Sequence, residues 1–150
     1  MSGNADSRIR ASAAVLLFAF LLAASGCGDL GKAELTRGVE SLSALAAQGQ
    51  LVASGVARDA TKSTYARVMS KTLGEEAEHE AEKLADATPQ AGTEEERDAA
   101  VAIAGEISQL LSELQTYPGD ENHGSLVQGH LEEAQEKAEA LSARLNGEKA

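Results

Sequence analysis

The sequence predicts an all-α fold, an antiparallel up-down four-helix bundle, and three observations predict it. Apolar residues recur at alternating spacings of three and four, the pattern of helices buried along one stripe. The only two prolines, Pro89 and Pro118, stand where such stripes stop. Alanine, leucine, glutamate and lysine dominate the remainder, which is helix-forming composition. The expected helices cover about 30–57, 63–87, 94–116 and 123–145, joined by short loops. At 1.5 Å per residue they make a bundle roughly 35–40 Å long. A chain of 150 residues has room for one such domain, expected over 31–150.

The first helix places Leu35, Val39, Leu42, Ala46, Ala53 and Val56 on one stripe, with Leu45 and Val52 at its edge. Gly38, Gly49 and Gly55 lie on the same side, and each costs about 1 kcal/mol relative to alanine inside a helix. They either admit a close neighbour or, at Gly49, split the segment; one continuous helix is the preferred reading. The second helix turns Tyr65, Val68, Met69, Leu73, Ala77, Ala81 and Leu84 inward, and Pro89-Gln90-Ala91-Gly92 closes it.

The third helix opens with Thr93 and Glu96 at the spacing of a capping box, with Glu94 and Glu95 adding negative charge to its first turn. Its stripe is Ala100, Ile103, Ile107, Leu110 and Leu114, extended by Tyr117 and ended by Tyr117-Pro118-Gly119-Asp120. The fourth is the clearest. Val127, Leu131, Ala134, Ala138, Leu141 and Leu145 share a face, while Glu132, Glu133, Glu136, Lys137 and Glu139 lie off it. Arg144 suits the dipole at its end, and Gly147 is the expected stop.

The segment ahead of the bundle has a different character. Arg8 and Arg10 flank an uncharged run from Ala11 to Ala24 whose centre is Val15, Leu16, Leu17, Phe18, Phe20, Leu21 and Leu22. Fourteen helical residues reach about 21 Å, short of a hydrocarbon core of ~30 Å, so the run suits the apolar region of a secretory signal peptide. Leu22-Ala23-Ala24-Ser25-Gly26-Cys27 follows, and this stretch resembles the lipobox of bacterial lipoproteins, with Ala24 where leucine is commonest. The resemblance covers about 27 residues and is silent on the other 123. It implies removal of 1–26, a diacylglyceryl group on the thiol of Cys27, and a lipidated tether over 27–30. Two acyl chains hold a protein stably on a membrane, where one holds marginally. The expected location is therefore the bacterial cell envelope, outside the cytoplasm and lipid-anchored.

Charge and chemistry narrow the function further. The chain carries 24 acidic and 13 basic side chains, a formal charge of −11, which repels nucleic acid; no nucleic-acid partner is expected. One cysteine excludes an intramolecular disulfide framework and a thiolate-rich zinc site. Gly26-Cys27-Gly28-Asp29-Leu30-Gly31 matches the dinucleotide fingerprint only by spacing, because no strand precedes it. Gly26 to Lys32 likewise mimics a phosphate loop, but Ala33 lacks the hydroxyl that would bind Mg²⁺.

Glu76-Ala77-Glu78-His79 has the Glu-x-x-His spacing of di-iron bundles, yet no second copy exists: Val127 stands three residues before His130. The acidic run Glu75, Glu76, Glu78, Glu80 and Glu82 lacks a calcium-loop pattern. His123 sits among acidic neighbours with no nucleophile motif beside it. No catalytic residue, metal site or cofactor is expected. The sequence reads as a non-catalytic helical module that meets an envelope protein or serves a structural role. The second reading is a bundle that binds a divalent cation or a small apolar molecule between alanine-lined helices.

Overall fold

The structure, a computed structural model, describes residues 30–147. The expected signal peptide and Cys27 lie outside the described residues. Four helices follow one another: α1 (Lys32–Ala57), α2 (Ser63–Asp86), α3 (Glu94–Thr116) and α4 (Glu121–Asn146). The all-α bundle is the fold, and α3 has the expected bounds.

α1 runs unbroken through Gly49. A Cβ there would lie 2.9 Å from Leu131 Cδ1 and 3.0 Å from Leu111 Cδ2. The missing side chain thus makes room for leucines of α4 and α3, and packing repays the lost helix propensity. α1 pairs most closely with α4, and α2 with α3. α1 also meets α3 across the bundle, whereas α2 and α4 do not meet, so the cross-section is a rhombus with α1 and α3 on the short diagonal. Leu35, Leu42, Leu84, Ile107, Leu111, Leu114, Leu131 and Leu141 are the largest apolar side chains buried almost completely. Alanines with no exposure, among them Ala46, Ala53, Ala100, Ala104, Ala134 and Ala138, fill the space between them.

α1 starts at Lys32 and α2 ends at Asp86, within two residues of expectation, and the start of α4 and the capping at the start of α3 depart from it for local reasons. α4 starts two residues early because Asp120 caps it: its Oδ1 accepts from the His123 N–H at 2.9 Å. The capping box at Thr93 does not form. The Thr93 hydroxyl donates to the Gln90 carbonyl at 2.8 Å, and the Glu94 carboxylate accepts from the Gly92 N–H at 2.8 Å, so the loop rather than the helix uses both groups. Gly147 ends α4 in the left-handed conformation, φ 75°, as expected.

Three residues expected inside are outside. Tyr65 and Val68 are 57% and 58% exposed, because α2 is turned so that Ala66, Ser70 and Gly74 continue the buried stripe of Leu73, Ala77 and Leu84. Small residues on that face let α2 lie close to α3. Tyr117 is 51% exposed; it follows the last helical residue with φ −119° and ψ 57°, so the helical period no longer governs where it points. Leu111 and Ala104 take up the core positions on α3 that the sequence stripe omitted.

The start of the described chain is fixed. The Leu30 N–H donates to the Thr88 carbonyl at 2.7 Å, and the Gln90 N–H donates to the Leu30 carbonyl at 3.2 Å. This single parallel bridge ties Leu30 to the α2–α3 loop, and its side chain is 5% exposed within the core. One end of the bundle therefore holds Leu30, the α2–α3 loop and Gly147. The far end holds the α1–α2 and α3–α4 loops.

Candidate functional site

The side chains suited to metal chemistry do not converge. His79 is exposed on α2, and Glu75, Glu76, Glu78 and Glu82 are exposed around it. Glu80 turns towards α1, where its Oε1 receives Lys83 Nζ at 3.2 Å. Among the described residues, no three His, Cys, Asp or Glu side chains gather closely enough to hold a metal ion. His130 points to Glu133, 3.7 Å away on its own helix.

His123 is the most enclosed of the histidines. Its ring lies 4.5 Å from that of Tyr117, and its Nε2 is 3.9 Å from Glu113 Oε2, beyond hydrogen-bond range. α4's capped first turn and the α3–α4 loop bring these three residues together. The arrangement packs an aromatic pair against the end of α3. It presents no nucleophile.

Grooves run between neighbouring helices and open to solvent. One of about 470 Å³ lies between α3 and α4, with Ala99, Ala102, Ile103, Ala140 and Leu141 as its apolar wall. Lys137 Nζ and Glu106 Oε1 and Oε2 close on each other across it at 2.8 Å. A smaller groove of about 180 Å³ between α2 and α3 is polar, lined by Ser70, Ser108, Ser112 and Gln115 among others.

The far end carries the most unusual surface. Among the described residues the large apolar side chains left exposed are Leu51, Tyr65, Val68, Tyr117 and Leu126, and all five belong to this end. Leu51 precedes the end of α1 by six residues, Val68 follows the start of α2 by five, and Leu126 follows the start of α4 by five. At 1.5 Å per residue each is within about 10 Å of the loops. Singly exposed apolar residues need no explanation; these five share one end, spread over α1, α2, the α3–α4 loop and α4, and make that end the candidate interaction surface.

Charge divides the same end in two. Residues 54–71, the α1–α2 loop with the helical turns on either side of it, contain Arg58, Lys62, Arg67 and Lys71 against Asp59 alone. Residues 112–129, the α3–α4 loop with its flanking turns, contain Glu113, Asp120 and Glu121 and no lysine or arginine. Lys71 meets Glu75 at 3.6 Å on an exposed ridge, and Arg58, Lys62 and Arg67 enter no ion pair among the described residues. Hydrophobic periodicity could not reveal this surface, since it sorts residues into inside and outside without ordering the outside. The signal lay in the charge order along the chain. No protein-family model, curated protein or solved structure matches this chain.

Proposed function

We propose that the protein is a lipid-anchored module of the bacterial cell envelope, held outside the cytoplasm, whose helical bundle serves protein contact or structure rather than catalysis. The observation that carries the reading is the lipobox-like run ending at the lone cysteine, Cys27, behind an apolar segment too short to span a bilayer. Two features of the fold support it. Among the described residues no helix is long and apolar enough to cross a membrane, so a lipid would be the means of attachment there. Leu30 is already part of the bundle, which leaves Gly28 and Asp29 as the link to the modified cysteine.

The exposed apolar residues at the far end favour contact with another protein over a purely passive role. The alanine-walled groove between α3 and α4 favours the second reading, a site for a small apolar molecule, since its wall resembles the lining such a ligand needs.

Cys27→Ser tests the anchor. The wild-type chain is expected in the membrane fraction of its host with residues 1–26 removed, and the variant is expected to lose lipid and retain its leader. A variant that fractionates and migrates like the wild type overturns the proposal.

A further inference from the structure

We infer that the groove between α3 and α4 binds a single medium-length fatty acid, its chain along the alanine wall and its carboxylate on Arg144. The inference rests on the second reading above, a site for a small apolar molecule, and names the class of molecule.

Two matching faces build the groove. α3 contributes Ala99, Ala102, Ile103 and Glu106, and α4 contributes Lys137, Ala140, Leu141 and Arg144. Each set follows the spacing i, i+3, i+4, i+7, one stripe of a helix. The two helices run antiparallel, and Lys137 meets Glu106 at 2.8 Å. Arg144 therefore lies seven residues further along α4, opposite Ala99. Between those two ends, about 10 Å apart, the lining is apolar. Ile103 and Leu141 are buried at its base, while Ala102 and Ala140 are exposed on its rims. α3 packs less closely on α4 than on α2, and the facing alanines leave the seam unfilled.

Charge selects the head group. Lys137 is already engaged by both carboxylate oxygens of Glu106. Arg144 enters no ion pair among the described residues, not even with the carboxylates in the first turn of α3. A guanidinium at the end of an apolar channel suits a carboxylate, which it grips with two parallel N–H donors.

Shape selects the tail. A volume of about 470 Å³ lies in the range of small-molecule sites. The Lys137–Glu106 bridge spans the seam, so a partner helix, about 10–12 Å across, would ride on the bridge instead of filling the groove. One groove holds one chain, which favours a fatty acid over a two-chained lipid.

The test titrates decanoate at pH 7 into the full chain carrying Cys27→Ser, which keeps the chain's own lipid out of the measurement, and follows the heat. One molecule is expected to bind, with 1-decanol and decyltrimethylammonium at least about tenfold weaker. Octanoate should also be weaker, since each buried methylene is worth up to about fourfold. Arg144→Gln should weaken decanoate about tenfold and leave decanol unchanged. Ala140→Trp and, on the facing wall, Ala102→Trp fill the groove and should abolish binding of both. Ala102 and Ala140 are exposed, so both variants are expected to keep the wild-type Tm.

Equal binding of decanoate and decanol, lost in the tryptophan variants, keeps the apolar-molecule reading and overturns the fatty-acid inference. Decanoate binding that Arg144→Gln leaves intact overturns it as well. Binding untouched by either tryptophan variant lies elsewhere on the chain, the leader included, and equally overturns it. Binding of none of these ligands removes both the inference and the reading beneath it.

Discussion

Gly124 and Gly129 lie five residues apart in α4 and should respond to alanine in opposite directions. A Cβ on Gly124 would stand 2.7 Å from the Ala57 nitrogen, 3.0 Å from the Ala53 carbonyl oxygen and 3.0 Å from Val56 Cγ1. Ordinary carbon contacts lie near 3.5–4.0 Å, and two of these three atoms are backbone that no rotamer change can move. α4 and the end of α1 must therefore separate locally, and such overpacking costs about 1–3 kcal/mol. Improved helix propensity returns at most about 1 kcal/mol, and less in a first turn. A Cβ on Gly129 would meet nothing within 4 Å, so alanine there should simply gain roughly 0.5–1 kcal/mol. The two variants should thus differ by about 1–3 kcal/mol, or on the order of 4–12 °C in Tm for a domain of this size. Thermal melts followed by circular dichroism measure the difference. If Gly124→Ala melts as high as Gly129→Ala, the close crossing of α1 and α4 is wrong.

Three further outcomes follow from caps, burial and charge. Asp120→Ala removes the carboxylate that accepts from His123 N–H and should lower stability by about 0.5–2 kcal/mol in urea melts, whereas Asp120→Asn should largely preserve it. Ser70→Ala should raise stability by roughly 1 kcal/mol, because Ser70 Oγ is buried without a partner and alanine is the better helix former. A formal charge of −11 works against compaction, so Tm should rise between low and high salt; a fall would show that attraction between charges outweighs repulsion.

The fold was legible because its largest signals are periodic. α4 needed nothing beyond six residues at spacings of three and four, and all six are buried. What the periodicity missed is small residues that behave as core. Ala66, Ser70 and Gly74 look indifferent on a hydrophobicity scale, yet their size brings α2 against α3, and Tyr65 and Val68 are displaced to solvent as a result. Gly49 was ambiguous for the same reason, since its value depends on Leu111 and Leu131, far away in sequence. The surface at the far end was legible only in part. The charge order is visible along the chain, but its meaning requires the topology that brings both loops to one end and sets them on opposite edges.

The bridge at Leu30 bears on how an anchored copy would stand. Cys27 and Leu30 are three residue steps apart, at most about 11 Å, so lipid on Cys27 would hold the Leu30 end against the membrane with little slack. Whether the bundle then lies down or stands depends on its sides. α2 shows Glu75, Glu76, Glu78 and Glu82 to solvent, and α4 shows Glu132, Glu133, Glu136 and Glu139. Anionic headgroups repel both ridges within a Debye length, and the repulsion grows with the length of ridge brought down. Lying flat on α2 or α4 is therefore opposed along most of the helix, while standing on the Leu30 end brings down the acidic first turn of α3 with Glu34 and Asp86, which Lys32, Lys83 and Arg144 at the same end offset. A short link and acidic flanks together favour the upright posture, the one that lifts the α1–α2 and α3–α4 loops clear of the membrane.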